Sequence, residues 1–359
     1  MINPKDDGFW SRGEFEKHCG TIIMYPERND IWRNNASIAK MLIIDLANII
    51  INFEEVFFCI KSYLSEEVKG KLDGRIQVIY TDYDDIWTRD IAPNFVTNGH
   101  KLRAVCWGFN AWGGLEEGAY YPWDKDAYFA KDISKKLSYE KYLVNDIILE
   151  GGAILTDGEG TLLTTKSVLL NSNRNPNCSI CQLEEYLRNY FVVEKVIWLE
   201  GGLMLDETDG HIDNLCSFVC PGEICMAWTD DEKNPQYEVL SKAFECLSNS
   251  TDAKGRKFII HKIPLPSPIY ISKDEAKGIV QSSCSTKRTE GFPLVPSYIN
   301  YYIMNNAILL PAFGNDLDGE AQSILKKIYK KHEIIQISSR ELLIGGGGFH
   351  CVLHEIPQV

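Results

Sequence analysis

Apolar and polar positions along this chain repeat in one order: two short apolar strands around a turn, an amphipathic helix, and a further apolar strand. In the first unit, apolar residues on both sides of Asn98 and Gly99 predict a hairpin, residues 126–137 predict a helix, and residues 143–149 predict a strand. The same order then restarts. We predict four consecutive units, at residues 94–150, 153–200, 215–263 and 300–338.

The two ends of the chain supply the elements of a fifth unit. Residues 349–356 and 19–25 each have the pattern of a strand, and a helix at 34–52 and a strand at 54–60 follow. We therefore predict that residues 349–359 join residues 19–60, so that the termini close a ring of five strand-strand-helix-strand units. The expected fold class is α/β, with residues 1–359 in a single catalytic domain.

The junctions between these units fall near Asp90, Glu150, His211, the 264–300 segment and Cys351. Equivalent junctions of a pseudo-symmetric ring lie at the same end of its central axis. We therefore expect these segments, although far apart in sequence, to converge on one pocket.

The residue types at the junctions point to chemistry on a cation. A carboxylate can hold a guanidinium through two parallel hydrogen bonds, so Asp90, Glu150 and Asp213 are candidates to bind such a group and leave its central carbon open to attack. A thiolate can add to that carbon while a histidine protonates the departing ammonia and later activates water, and Cys351 and His211 fit these roles. Each residue alone is more typical of packing, a turn or a cap, but their placement at matching junctions favours a site.

Charge narrows the choice of partners. The chain has 50 acidic and 37 basic residues among 359, a net charge of -13. Proteins that bind phosphate backbones or anionic membranes normally carry a basic surplus, so we expect neither nucleic acid nor membrane as a partner. A cationic ligand is compatible with this balance, and so is a surface that serves only solubility.

The eleven cysteines are too dispersed for a disulfide scaffold. The first residues lack the apolar core of a signal peptide, and no run of about 18 apolar residues occurs. We therefore expect a soluble, thiol-reduced, cytoplasmic protein in which most cysteines are buried. No metal site is predicted, because the cysteines at 178 and 181, and those at 216, 220 and 225, lack regularly spaced partner ligands.

The connecting motifs resemble those of the agmatine deiminases, within the guanidine-modifying superfamily of five-bladed α/β propellers (penteins). The resemblance covers nearly the whole chain, and related bacterial peptidyl-arginine deiminases share the core residues. It rests on the segments WTRD, EGG, TDGHIDN and a glycine-rich stretch ending in HC, and on residues 228–232, 234–237 and 248–257.

The resemblance implies a role for each candidate. Cys351 would be the nucleophile and His211 the general acid and base, with Asp90 and Asp213 binding the guanidinium and Glu150 orienting the site. Trp87 would line the substrate channel, Glu207 would meet the amine end of the substrate, and Gly346 is a further substrate-binding candidate. The implied reaction converts agmatine and water to N-carbamoylputrescine and ammonia, with no metal or organic cofactor.

Two local departures bear on the pocket wall. Gly348 and Phe349 stand where typical members of the family have Asn and Ile, and residues 352–357 differ from the usual Thr- and Gln-rich continuation. The histidine and cysteine before that continuation are kept.

Three alternative functions compete with agmatine deimination. Free arginine would need a cationic partner for its carboxylate, yet acidic residues cluster near His211 and the neighbours of Arg288 predict an exposed loop. Peptidyl-arginine would need an open cleft. A non-catalytic polyamine binder would have no need for Cys351 beside His211. We also expect the segment 108–125 or 264–300 to act as a lid, and homo-oligomer formation is open.

Overall fold

The computed structural model describes residues 3–359. Its strands are short and alternate with helices along the chain. In chain order the strands are β1 (Trp10–Ser11), β2 (His18–Met24), β3 (Glu55–Ile60), β4 (Gln77–Tyr80), β5 (Asn94–Thr97), β6 (Leu102–Gly108), β7 (Glu140–Ile148), β8 (Ile154–Thr156), β9 (Thr161–Thr165), β10 (Lys195–Leu199), β11 (Cys216–Cys220), β12 (Glu223–Trp228), β13 (Ile259–Pro264), β14 (Ile269–Tyr270), β15 (Pro293–Leu294), β16 (Tyr302–Met304), β17 (Ala307–Ala312), β18 (Glu333–Ser338) and β19 (Leu353–Pro357).

The helices range from single turns to four turns. They are α1 (Ser37–Ile50), α2 (Ser65–Val68), α3 (Thr88–Ile91), α4 (Gly114–Glu117), α5 (Asp124–Lys136), α6 (Lys166–Leu169), α7 (Ile180–Tyr190), α8 (Tyr237–Asn249), α9 (Lys273–Lys277), α10 (Asp318–Ile328), α11 (Arg340–Gly345) and α12 (Phe349–Val352), with 3-10 turns at Ser62–Leu64, Gly151–Ala153 and Ile212–Asn214. None of the helices within residues 3–359 is long and apolar enough to span a bilayer.

Five sheets share one construction. In each of them two strands pair antiparallel, and the next strand pairs parallel with the second after a helix. The helix is needed because the chain must return to the same end of the sheet before a parallel strand can begin. In spatial order these sheets are β1-β5-β6-β7, β10-β9-β8, β11-β12-β13, β16-β17-β18 and β19-β2-β3-β4; a two-stranded sheet, β14-β15, is separate from them.

The last of the five sheets joins the two ends of the chain. Strand β19 pairs antiparallel with β2, with Leu353 opposite Ile23 and Glu355 opposite Thr21. Strand β2 then pairs parallel with β3. The pairing expected between the C-terminal and N-terminal segments is therefore present.

Buried apolar side chains form clusters that connect neighbouring sheets. Successive side chains of a strand point to opposite faces, so one strand can serve two clusters. In β6, Ala104 and Cys106 join the cluster of the terminal sheet, whereas Val105 and Trp107 join a cluster with β9 and α7. In β17, Ala307 and Leu309 likewise join the cluster of the terminal sheet. Ile308 and Leu310 join a third cluster, with β12 and α8.

The predicted elements agree with most of the observed ones. The helix predicted at 180–190 is α7, and those predicted at 34–52 and 126–137 are α1 and α5 with shifted ends. Helix α7 begins at a capping box in which the Ser179 side chain accepts from the backbone of Gln182 and the Gln182 side chain accepts from the backbone of Ser179. Local sequence signals of this kind explain the accuracy of that boundary.

The strand predicted across 349–356 is wrong in its first half. Residues Phe349–Val352 form the single turn α12, and only Leu353–Pro357 pair with β2. The apolar pattern of so short a run does not distinguish a helical turn from a strand. The difference matters because Cys351 lies in this turn and not in a strand.

Candidate active site

The junction segments converge around Gly152, which lies in the 3-10 turn after β7. A Cβ atom at this position would lie 2.6 Å from His211 Nδ1 and 2.9 Å from both Asp213 Oδ2 and Asp90 Oδ1. These distances are too short for any side chain, so the approach of three polar groups requires glycine here. Three of the predicted residues, from two junctions, therefore meet at a glycine of a third junction.

Asp90 is held by two donors. The backbone N–H of Gly152 donates to Oδ1 at 2.8 Å, and the indole N–H of Trp112 donates to Oδ2 at 2.9 Å. Burial raises the pKa of Asp90 to about 6; the neighbouring His211 acts against this shift, while Asp213 and Glu150 add to it. The carboxyl group is thus oriented, but its charge lacks a full cationic partner.

His211 is buried among carboxylates. Its Nδ1 lies 3.9 Å from Asp90 Oδ1, and no group among residues 3–359 makes a hydrogen bond to its Nε2. Burial lowers the pKa of His211, but the negative charges of Asp90 and Asp213 outweigh this and raise the pKa above its ordinary value. The ring is therefore suited to exchange a proton near neutral pH.

The Cys351 thiol faces the same group of side chains. Its Sγ lies 4.0 Å from Asp213 Oδ2, and a Cβ at Gly347 would come within 3.1 Å of Sγ and 2.6 Å of Trp87 Cζ3. Burial raises the pKa of Cys351 well above its ordinary value, and Asp213 and Asp90 raise it further. These groups disfavour the thiolate, and a bound cation would favour its formation.

One carboxylate oxygen of Asp213 is hydrogen-bonded within the protein, and the other has no partner in the described chain. Its Oδ2 lies 2.9 Å from Nδ1 of His350, whose Nε2 lies 2.8 Å from Glu14 Oε2. Burial and Arg89 act to lower the pKa of His350, but Glu14 and the hydrogen bond to Asp213 raise it to about 9. The other oxygen, Asp213 Oδ1, is buried and has no hydrogen-bond partner within the described chain.

Glu150 is paired with an arginine that the sequence did not reveal as part of the site. Its Oε1 accepts from Nε of Arg174, and both side chains are fully buried. Arg174 also donates to the carbonyl of Trp112 and to Asp209. Glu150 Oε2 has no hydrogen-bond partner among residues 3–359. At most one of its oxygens therefore remains for another ligand.

A cavity leads outward from Cys351. Its lining includes Trp87, Trp112, Tyr120, Glu207, Arg288 and Gly346. Trp87 and Trp112 meet edge to face, with ring centroids 6.0 Å apart. Trp87, Glu207 and Gly346 are thus brought to the same cavity as Asp90 and Cys351.

The expectation that Arg288 lies in an exposed loop is wrong. Arg288 is only 2% exposed, and its Nη2 donates to both oxygens of Glu207, at 2.9 and 2.8 Å. Its guanidinium also donates to the carbonyls of Ile344 and Gly345, which end helix α11. These carbonyls and Glu207 supply enough acceptors to bury the charge, whereas the neighbouring charges in sequence predicted solvent.

Gly346 adopts a backbone conformation that favours glycine, with φ of 114°. A Cβ there would lie 2.8 Å from Arg288 Nη2 and 3.1 Å from Glu207 Oε1. The glycine therefore makes room for the ion pair. Contact between Gly346 and a ligand stays a prediction of the sequence.

The two segments considered as lids contact each other. The Tyr121 N–H donates to the carbonyl of Cys284 at 2.7 Å, and the Thr286 N–H donates to that of Ala119 at 2.9 Å. The segments 108–125 and 264–300 contribute Trp112, Tyr120 and Arg288 to the lining of the cavity. Sequence marked these segments by their length and their glycine and aromatic content, but gave no sign of which side chains they insert.

The chain belongs to a known family of guanidine-modifying proteins. The family model described as Porphyromonas-type peptidyl-arginine deiminase matches residues 11–357. This match covers nearly the whole chain, so the protein is a member of that family.

Full-length relatives within the family carry a more specific name. An agmatine deiminase of Pseudomonas aeruginosa is 43% identical, over 99% of this chain and 97% of the relative. The solved structure of an agmatine deiminase of Enterococcus faecalis, described as catalysing its reaction, has a TM-score of 0.96 and 34% identity, covering 100% of this chain and 98% of that one. An agmatine deiminase of C. jejuni, solved with a cysteine replaced by serine and substrate bound, has a TM-score of 0.82 and 26% identity, covering 98% and 96%. The resemblance inferred from the motifs is confirmed.

Proposed function

We propose that this chain hydrolyses agmatine to N-carbamoylputrescine and ammonia through a covalent amidino-thioether on Cys351. The observation that carries the proposal is the approach of Cys351 Sγ to within 4.0 Å of Asp213, beside the point where Asp90, His211 and Asp213 meet. A nucleophile, a proton carrier and two guanidinium acceptors then surround one position. The full-length relatives named agmatine deiminase support the same reaction.

Binding of the guanidinium would satisfy groups that lack partners in the protein. Asp213 Oδ1 is buried without a hydrogen-bond partner in the described chain, and Asp90 is a carboxyl whose pKa burial raises to about 6. Two carboxylates that flank a guanidinium can accept its N–H groups and leave both faces of its central carbon open. The cation would also offset the negative charges that disfavour the thiolate.

In the first chemical step the thiol proton passes to His211, and the thiolate forms a bond to the guanidinium carbon. Protonated His211 then gives its proton to one NH2 group, and that C–N bond breaks to release ammonia. The product is a positively charged amidino-thioether on Cys351. The charge of the substrate is conserved in the adduct.

In the second step His211 takes a proton from water, and the resulting hydroxide adds to the same carbon. The C–S bond breaks, the sulfur recovers a proton, and N-carbamoylputrescine leaves. The proton left on His211 passes to the ammonia or to solvent. Over both steps one water and the agmatine cation give the carbamoyl product and ammonium. Glu150, held by Arg174, would orient the site rather than exchange protons.

Agmatine is favoured over free arginine by the outer end of the cavity. An α-carboxylate would need a cation free to pair with it, and Arg288 is already paired with the Glu207 carboxylate. The Glu207 carboxylate is the group suited to the ammonium of agmatine, and Trp87 and Tyr120 line the path between. A peptide substrate would need an open cleft, and the contact between the segments 108–125 and 264–300 argues against one.

The test is a comparison of substrates on the pure protein. We expect ammonia release from agmatine to exceed that from arginine and from an N-acetylated arginine amide, measured as kcat/KM. Absence of ammonia release from agmatine at micromolar enzyme would contradict the proposed function. Faster turnover of arginine would support the proposed deimination chemistry but show that agmatine is not the preferred substrate.

The architecture is proposed to be a five-bladed α/β propeller forming one catalytic domain. Support comes from the five sheets of like construction, the pairing of β19 with β2, and clusters that connect each sheet with the next. A cytoplasmic location stays a prediction, to be checked by cell fractionation. Formation of a homo-oligomer is open, and analytical ultracentrifugation decides it.

A further inference from the structure

Asn300 lies against the thiol of Cys351, although its loop is 51 positions earlier in the chain. It precedes β16 and is 2% exposed. Its Nδ2 lies 3.3 Å from Cys351 Sγ, and its Oδ1 lies 3.6 Å from the same atom. Both distances allow a hydrogen bond to sulfur, so the amide can donate to Sγ or accept from it.

The hydrogen bonds of Asn300 determine which way its amide points. The backbone N–H of His350 can only donate, and the Asn300 atom facing it at 3.1 Å is Oδ1. The amide nitrogen consequently faces Cys351, and it also donates to Asn214 Oδ1 at 3.1 Å. Reversing the amide would set its NH2 group against the backbone N–H, which makes the observed orientation the stable one.

The space for this amide depends on Gly348. A Cβ at Gly348 would lie 2.3 Å from Asn300 Oδ1. The glycine therefore leaves the space that the amide occupies.

The thiol needs such a neighbour because the titratable groups facing it disfavour its charge. Asp213 lies 4.0 Å from Sγ, and the charges of Asp213 and Asp90 both oppose ionisation of the thiol. The groups that favour ionisation are the Asn300 amide and the backbone N–H of Gly348. A neutral amide suits this position because a cation there would compete with a guanidinium for the two carboxylates.

We propose that Asn300 is a catalytic residue that stabilises both states of the nucleophile: Oδ1 accepts from the resting S–H, and Nδ2 donates to the thiolate. The proposal deepens the proposed function and rests on Cys351 being the nucleophile. The proton itself leaves with His211, so Asn300 neither gains nor loses one.

The test measures the thiol rather than turnover. Alkylation of Cys351 by iodoacetamide is followed against pH by peptide mass spectrometry, without substrate, in the native protein and in Asn300→Asp. This substitution keeps an oxygen acceptor for the His350 N–H but replaces the donor with an anion. An anion beside a thiol raises its pKa, and one pKa unit lowers the thiolate fraction about tenfold. We expect alkylation at pH 8 to slow at least about tenfold and its pH midpoint to rise.

Matched variants separate this effect from structural damage. Asn305→Asp alters an asparagine that bonds the backbone of His18 with both amide atoms, beyond the far end of the same short strand. It should lower Tm and leave the Cys351 alkylation profile unchanged. Asn300→Ser, which keeps a short hydroxyl donor, serves if Asn300→Asp does not fold, and it should shift the midpoint in the same direction by less.

The outcomes distinguish the two proposals. An alkylation profile of Asn300→Asp or Asn300→Ser identical to that of the native protein would overturn the role of Asn300, whatever the activity. An Asn300-dependent profile in a native protein that releases no ammonia from agmatine would retain this role and overturn the proposed function. With both correct, Asn300→Asp should lose kcat much more than affinity for agmatine.

Discussion

The carboxylates at the two ends of the cavity differ in their hydrogen-bond partners. At the inner end, Asp213 Oδ1 is buried without a partner in the described chain, and Asp90 receives only two neutral N–H donors. At the outer end, Glu207 receives both of its hydrogen bonds from one arginine nitrogen, Nη2 of Arg288. Asp213 Oδ2 already meets His350, whose pKa is raised to about 9, so Asp90 is the carboxylate that gains most from a cationic ligand. Glu207, already paired with an arginine, gains less. We infer that the inner end supplies most of the binding free energy for the guanidinium. The outer end mainly discriminates between substrates.

The largest effect is expected from removing the nucleophile. Cys351→Ala should lower kcat for agmatine by at least about ten-thousandfold, since no other group can form the covalent adduct. Agmatine binding should persist, because both inner carboxylates are unchanged. Ammonia release and isothermal titration calorimetry measure the two properties. Turnover near the native rate would show that the nucleophile has been misassigned.

The next largest effect tests the inner carboxylates directly. Asp213→Asn keeps an oxygen that can accept from His350 but removes the charge, and should lower kcat/KM for agmatine about a thousandfold. Asp230→Asn, on an exposed loop after β12, is the matched control and should behave as the native protein. If kcat/KM for agmatine falls less in Asp213→Asn than in Glu207→Gln, the contrast between the two ends of the cavity is reversed.

The pH dependence of binding should follow Asp90. Its folded-state pKa of about 6 lies above that of an unfolded chain, so this group favours the folded state at low pH, and that contribution is lost as pH rises from about 4 to 6. A guanidinium needs the ionised form, so the affinity of Cys351→Ala for agmatine should rise about tenfold from pH 5 to pH 7. Calorimetry at pH 5, 6 and 7 measures it. An affinity that is flat or falls over this range would contradict the assignment of Asp90.

The smallest effect on activity is expected at the outer end. Glu207→Gln should raise KM for agmatine about fivefold with little change in kcat, since Arg288 already offsets the Glu207 charge. Tm should fall, because the substitution leaves Arg288 buried without its anion. Steady-state kinetics and thermal unfolding separate the two effects. A loss of kcat equal to that of Asp213→Asn would give Glu207 a part in the chemistry.

Sequence by itself determined the order of elements and the family. The periods of strands and helices, Asn98-Gly99 at the hairpin and the capping box at Ser179 act over a few residues, so they can be read locally. The repeated order then indicated which junctions would meet, and the structure brings Asp90, His211, Asp213 and Cys351 together as that order predicts. The single helical turn at Phe349–Val352 was not predicted, because its apolar run is too short to show a helical period.

Tertiary structure alone decided the partners of these groups. Arg288 meets Glu207 from 81 positions away, Arg174 neutralises Glu150, and Asn300 reaches Cys351 from the loop before β16. Such contacts join segments that no local pattern relates, and each depends on how buried charges and amides find acceptors once the sheets have packed. The sequence therefore named the groups that carry charge or a thiol, and the packing decided which of them remain available to a ligand.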